Sequence, residues 1–222
     1  MRQNNVANKS NEKDAGCVTE NRHSRSIIEE INMDVIEEYC HKIYYCDPYT
    51  ARHAEHVADL MAGLATQLAM SPEETDLAYM VGVMHDVGKI KTPLNILTKP
   101  GKLTQEEFQI MKQHAADGAD MIADITGVEP ITSVMRHHHE RYDGKGYPDG
   151  LAGESIPVLS RMLAVCDSFD AMTSKRCYRT EVSLYESLKE IKECAGTQFD
   201  PKICEAFIDF IEERFGFSFA RA

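Results

Sequence analysis

Nine histidines are the richest source of chemistry in this chain of 222 residues, and several lie on the apolar face of their segments. His53 stands four residues before Val57 and seven before Leu60, a spacing that places all three on one helical face. His85 and Asp86 close the apolar run Ala78–Met84. His114 follows Met111 by three residues, and His138 follows Val134 by four and Met135 by three. Asp167 follows Leu163 by four and Leu159 by eight. A single inward histidine is most often a satisfied core residue. A set of inward imidazoles together with two inward carboxylates is different, because buried charges need partners and inward Arg and Lys are too few to supply them. A metal ion is the economical partner. The seven cysteines (Cys17, Cys40, Cys46, Cys166, Cys177, Cys194, Cys204) are scattered without a CxxC pair. The donors are therefore imidazole and carboxylate, a mixture that disfavours structural zinc and favours iron, manganese or a catalytic zinc. So many donors exceed what one ion with an open position takes. They suit two ions sharing a carboxylate, an arrangement that activates a bridging water and neutralises phosphoryl oxygens. Cys166 adjoins Asp167 but is turned about 100° away on a helix, which makes it core packing.

The elements that must position these residues read as helices almost throughout. Ile28, Ile31, Val35, Ile36, Tyr39 and Ile43 form a stripe, giving an N-terminal helix over 27–45. A second helix follows Thr50, with Val57, Leu60, Leu64 and Leu68 on one face. Ser71-Pro72-Glu73-Glu74 and Thr104-Gln105-Glu106-Glu107 are capping-box starts for two more, the latter with Phe108, Met111 and His114 on its inner face. Further helices are predicted over Pro130–His139 and Pro157–Thr173, from Ser183 to Gly196, and after Asp200-Pro201. Period-two runs bounded by turns are absent. The fold class is all-α, a compact bundle of about seven or eight helices around one core. Residues 1–26 hold no aromatic, Leu or Ile and read as a flexible tail, leaving 46–222 as the functional domain. The glycine-rich stretch Arg141–Ser155 is the one long irregular segment, and such a loop is usually functional or disordered.

Composition narrows the classes further. Apolar residues make up 43% and charged residues 27%, ordinary for a globular protein. The formal charge of −12 is opposite to that of a general binder of polymeric nucleic acid, while leaving room for a small anion held by local cations. The longest charge-free apolar stretch, Leu60–Ala69, falls well short of the roughly 20 residues that span a bilayer. The first residues lack the apolar segment of a secretory signal. Scattered thiols in odd number fit a reducing compartment, so a cytoplasmic protein with no membrane partner is expected.

The motif H-D-V-G-K-I at 85–90 and H-H-E-R-Y-D-G-K-G-Y-P at 138–148 resemble the HD-GYP subgroup of HD-domain phosphohydrolases. The resemblance continues in order through Y-T-A-R-H (49–53), L-T-K-P-G-K-L-T-Q-E-E-F (97–108), L-A-V-C-D-S-F-D-A-M-T (163–173), R-C-Y-R (176–179) and Q-F-D-P (198–201). It implies an all-α HD-domain bundle that binds two or three divalent ions, most often iron or manganese, and hydrolyses cyclic di-GMP, with some members acting on cyclic GMP-AMP. Carried over by position, it implies metal ligands at His53, His85, Asp86, His114, His138, His139 and Asp167, with Asp86 bridging. His53, His85 and Asp167 complete one site and His114, His138 and His139 the other. Because His137 makes a run of three, a pairing of His137 with His138 stays open. The family's nucleophile is a metal-bridging hydroxide, with the ribose 3′ oxygen leaving.

The same resemblance places Lys89 at the scissile phosphate, Gly146 and Tyr147 against the nucleotide, and Arg176 and Arg179 on the second phosphate or a guanine edge. Members with a third ion carry Glu four residues before the first histidine ligand. Tyr49 stands there in this chain, which predicts two ions. Tyr142 replaces a usual Trp, Lys175 a common Asp and Cys177 a common Pro, and the last two put substrate preference in question. Rival readings are a module that binds nucleotide or signalling proteins through the 143–148 loop without catalysis, and di-iron oxygenase chemistry. The segment before residue 46 is a candidate for homodimerisation.

Overall fold

Side-chain caps set where several helices start. Ser71 accepts from the Glu74 amide at 3.2 Å while the Glu74 carboxylate accepts from the Ser71 amide at 2.8 Å. Thr104 and Glu107 repeat the arrangement at 3.2 and 2.7 Å. Ser183 accepts from the Glu186 amide, and Asp200 from the Lys202 amide just ahead of Pro201. Each such cap satisfies an amide that the first turn cannot pair internally. The structure, a computed structural model, describes residues 38–39, 41–42, 48–125, 129–174 and 182–219. The 1–26 tail, Lys175, Arg176, Cys177 and Arg179 lie outside the described residues. Of the expected 27–45 helix only Glu38, Tyr39, His41 and Lys42 lie within them, and they are helical.

The elements are α1 (Pro48–Gln67), α2 (Pro72–Met84), a 3₁₀ turn (Val87–Lys91), the single-turn α3 (Leu94–Leu97), α4 (Gln105–Lys112), α5 (His114–Ile122), α6 (Glu129–His137), a second 3₁₀ turn (Gly153–Ser155), α7 (Val158–Thr173), α8 (Leu184–Glu193) and α9 (Pro201–Phe215). No strand occurs among the described residues, only an isolated bridge between Ala195 and Phe199. The expected all-α bundle of seven or eight helices is therefore what forms, with α3 as an additional single turn. Boundaries differ from the sequence reading in places. α1 starts at Pro48, where a proline lacks nothing the first turn needs. α6 stops at His137, two residues early, and α8 stops at Glu193, ahead of Gly196.

The larger difference is at the fourth helix. Phe108, Met111 and His114 do not share one inner face, because the helix breaks at Gln113 and His114 opens α5. α4 has no buried residue and Phe108 is 47% exposed, whereas α5 buries His114, Ala115, Gly118, Ala119 and Ile122. Leu68 lies past the end of α1 and is exposed.

α1 and α2 pack as a hairpin, with α7 and α9 against α1 and α6 against α2 and α7. α8 closes on α7 and α9, and α5 lies between α6 and the first 3₁₀ turn. Val57, Met61, Leu64, Val81, Met84, Met135, Met162, Leu163, Ile191 and Phe207 fill the core between them. Among the described residues no helix is long and apolar enough to cross a membrane.

The turn after His85-Asp86 sits so close to α5 that a Cβ on Gly88 would lie 2.0 Å from the His114 carbonyl oxygen and 2.5 Å from the Gly118 amide. Both are backbone atoms, so neither yields without moving a helix. Gly88→Ala is expected to lower stability by about 1–3 kcal/mol and to loosen the Asp86–His114 register. Denaturant unfolding of the two proteins checks the first, and metal content checks the second.

Candidate metal centre

Three of the candidate histidines are built the same way. His85 follows the last residue of α2, His114 follows the α4 break, and His138 follows the last residue of α6. Each ring nitrogen Nδ1 meets the carbonyl oxygen three residues back, in the last turn of its helix: Gly82 at 2.7 Å, Met111 at 2.6 Å and Met135 at 2.5 Å. A carbonyl only accepts, so Nδ1 carries the proton and Nε2 keeps its lone pair. Those Nε2 atoms face inward. The Nε2 atoms of His85 and His138 are buried with no hydrogen-bond partner, and that of His114 lies 3.4 Å from Asp86 Oδ1.

His53 arrives from α1 and the carboxylates from the turn and α7. His53 Nε2 lies 3.0 Å from Asp167 Oδ1 and 4.0 Å from Asp86 Oδ2. Its Nδ1 is held at 2.6 Å by Asp170, whose other oxygen takes His56 Nδ1 at 3.1 Å and Ser174 at 2.9 Å. Asp170 escaped the sequence reading. The available signal was its position three residues after Asp167, on the same side of α7. Asp86 sits between the two groups: its Oδ2 is 3.4 Å from His85 Nε2 and is ion-paired with Lys89.

His139 completes the cluster from the loop, with Nε2 3.1 Å from His114 Nε2. Two consecutive residues, His138 and His139, reach the same place because α6 has already ended at His137. His137 itself is turned outward, with Nδ1 on the Ser133 carbonyl at 2.8 Å and Nε2 on Asp149 at 2.9 Å. His138 and His139, rather than His137 and His138, are the two that lie in the cluster with His114. The loop is pinned by Glu140, which accepts from the Asp149 and Gly150 amides at 2.7 and 2.9 Å. A Cβ on Gly146 would lie 2.4 Å from the Arg141 amide, so glycine is needed there for close backbone packing. The Tyr147 ring stands 4.9 Å from that of His139. Arg141 is paired with Asp143 at 3.0 Å.

Burial and charge sort the protons. Burial pushes His114 and His138 below the ordinary imidazole value, and His139 down to about 3. These rings stay neutral, as ligation requires. Burial favours a protonated Asp86, but Lys89, His85 and His114 outweigh it and hold the carboxylate well below its usual range. Burial likewise opposes a charged His53, but Asp167 and Asp170 raise it to about 9. Asp167 and Lys89 side chains, each 22% exposed, mark the open face, while His53, His85, Asp86, His114 and His138 form a buried floor.

Two donor groups result, His53–His85–Asp86 and His114–His138–His139, each with ligand atoms within 4.8 Å of one another. Buried lone pairs aimed at a common point without hydrogen-bond partners fit a cation and little else. Six of the seven expected ligands fall in these two groups, and the seventh, Asp167, lies 3.0 Å from His53 Nε2; Lys89 pairs with Asp86 and Tyr147 stands beside His139.

The family model for the HD domain matches residues 36–203. Over 199 residues the chain is 38% identical to a cyclic di-GMP phosphodiesterase of Pseudomonas aeruginosa, covering 87% of this chain and 48% of that one. It is 33% identical to 3'3'-cGAMP-specific phosphodiesterase 1 of Vibrio cholerae, covering 78% of this chain and 41% of the relative. The chain thus spans about half or less of the length of these relatives. A solved HDG"Y"P protein from Bdellovibrio bacteriovorus superposes with a TM-score of 0.60 at 20% identity, over 72% of this chain and 51% of that one, a likeness of fold.

The His53 environment sets the pH dependence of metal loading. Below about 9 the metal-free ring holds a proton that a cation must displace. Affinity is therefore expected to climb as pH rises toward 9 and to flatten above it. Calorimetry in buffers of different ionisation enthalpy reads the released proton. Asp170→Asn removes one of the carboxylates that raise His53 and is expected to cost about 10–100-fold in metal affinity. It also moves the break in the pH profile downward.

Proposed function

The chain belongs to the HD-domain family, in its HD-GYP branch, and we propose that it hydrolyses a cyclic dinucleotide, cyclic di-GMP first, to the linear pGpG, to GMP, or to both. The observation that carries this reading is the pair of donor groups meeting at Asp86, with the Lys89 ammonium on the same carboxylate. His53, His85, Asp86 and Asp167 would hold one divalent cation, and Asp86, His114, His138 and His139 the other. Tyr49 in place of the third-ion glutamate supports two ions. Imidazole–carboxylate sites of this kind suit iron or manganese. When bound, such a pair supplies an activated water near neutral pH and neutralises phosphoryl oxygens.

The chain's own residues do the rest. Lys89 places a positive charge where charge grows on the scissile phosphate. Asp86, held deprotonated, keeps the two halves of the centre in one electrostatic unit. The His85, His114 and His138 rings are fixed by their backbone bonds, so the centre needs no reorganisation when substrate arrives. Gly146 and Tyr147 form the wall beside His139, and Arg176 and Arg179 contribute substrate-side cations. Action on cyclic GMP-AMP is the second reading, favoured by the 33% identity to the Vibrio cholerae enzyme and by Lys175 and Cys177 beside the substrate arginines. The 143–148 loop is the surface proposed for signalling partners.

Anaerobic purification, metal analysis and turnover of both cyclic dinucleotides in competition test the proposal. Asp86→Ala is expected to lose one or both ions and all measurable hydrolysis. Lys89→Ala is expected to keep both ions and lose about 10²–10³ in kcat. Full turnover by metal-loaded Asp86→Ala would sink the reading.

A further inference from the structure

The geometry points to Lys112 as a contact, additional to the substrate-side cations Arg176 and Arg179, for the phosphate that is not being cleaved, an inference that rests on the cyclic dinucleotide reading above. Lys112 is the last residue of α4, two before His114. Its ammonium lies 5.2 Å from the centre of the Phe108 ring and 5.3 Å from that of Tyr147. Tyr147 is itself 4.9 Å from His139, so this cation stands one aromatic ring away from the donor cluster. Other lysines are ion-paired with carboxylates: Lys91 with Asp117 at 3.6 Å, Lys99 with Glu107 at 2.5 Å and Lys145 with Asp143 at 3.7 Å. Lys112 has no carboxylate within ion-pair distance among the described residues; aromatic faces hold it instead. Such faces attract and orient an ammonium while leaving its charge uncancelled.

The substrate's chemistry needs a charge in such a place. A cyclic dinucleotide carries two anionic phosphates in one macrocycle. When one lies at the Asp86 centre with Lys89, the other is one nucleotide away and needs its own counter-charge. In a chain of net charge −12 the general field repels a dianion, so local cations must supply the attraction. A lysine ammonium recognises phosphate as a point charge from many directions. The break between α4 and α5 serves this arrangement: it lets His114 turn into the cluster while Lys112, two residues earlier, stays beside Phe108 on the outer wall.

The test compares substrates with two phosphates and with one. kcat/KM is measured for cyclic di-GMP and for bis(p-nitrophenyl) phosphate with the wild-type, Lys112→Ala, Lys112→Gln and Lys112→Arg proteins. Affinity for the bisphosphorothioate analogue of cyclic di-GMP and bound metal are measured on the same samples. The ratio of kcat/KM, cyclic di-GMP over the monophosphodiester, is expected to fall about 10–100-fold in Lys112→Ala and Lys112→Gln, the worth of one hydrogen bond to a charged group. The loss should sit mainly in KM, analogue affinity should fall by the same factor, and Lys112→Arg should restore most of both. An unmoved ratio, an equal loss on both substrates, or a parallel loss of metal overturns the assignment. Wild-type protein that cleaves the monophosphodiester but neither binds nor cleaves a cyclic dinucleotide overturns the substrate reading, and this inference with it.

Discussion

A histidine that follows the end of a helix can do two things at once, and this protein uses that three times. His85, His114 and His138 each give Nδ1–H to a carbonyl three residues back, at 2.7, 2.6 and 2.5 Å. The bond pairs an acceptor in a helix's last turn, where carbonyls run short of amide partners. It also fixes the tautomer and the ring plane, so that Nε2 must point along the helix's exit direction. Three helices ending around one point therefore present three lone pairs to it. The bundle's packing decides the centre, and the centre's geometry is as rigid as the helices that carry it.

The cost of such a site lies in its desolvation. Buried imidazoles with unpartnered nitrogens and a buried carboxylate oppose folding unless something neutralises them. Part of that is internal: Lys89 on Asp86, and His53 between Asp167 and Asp170. The Nε2 atoms of His85 and His138 have no hydrogen-bond partner. A site built to accept a cation commonly trades stability for function in this way. Asp170 shows how far the arrangement extends, since one carboxylate orients His53 from behind while tying His56 and Ser174 into the same network.

Asp167 and Lys89 are partly exposed members of the centre, and Tyr147 stands beside His139. The loop that carries His139 and Tyr147 is shaped by its own backbone bonds to Glu140 and by the close approach at Gly146.

Local chemistry settled much of this before any tertiary contact. Capping boxes at Ser71 and Thr104, the Asp200-Pro201 start and the helical spacing of His53, His138 and Asp167 among apolar residues are properties of short segments, readable because caps and periodicity act over a few residues. The ordered motifs from His85-Asp86 to Tyr147-Pro148 carried the ligand set further, by resemblance. Other features depend on residues distant in the chain. That His137 turns to Asp149 while His139 turns inward follows from where α6 stops, which no pattern in the run of three histidines encodes. The break at Gln113 parts Phe108 from His114, although their spacing reads as one helical face; close packing of Gly88 against the His114 carbonyl and the Gly118 amide goes with it. Asp170 pairs with a residue 117 positions away. Spacing along a chain reports which side chains share a face, but only the packing of the helices determines which faces meet.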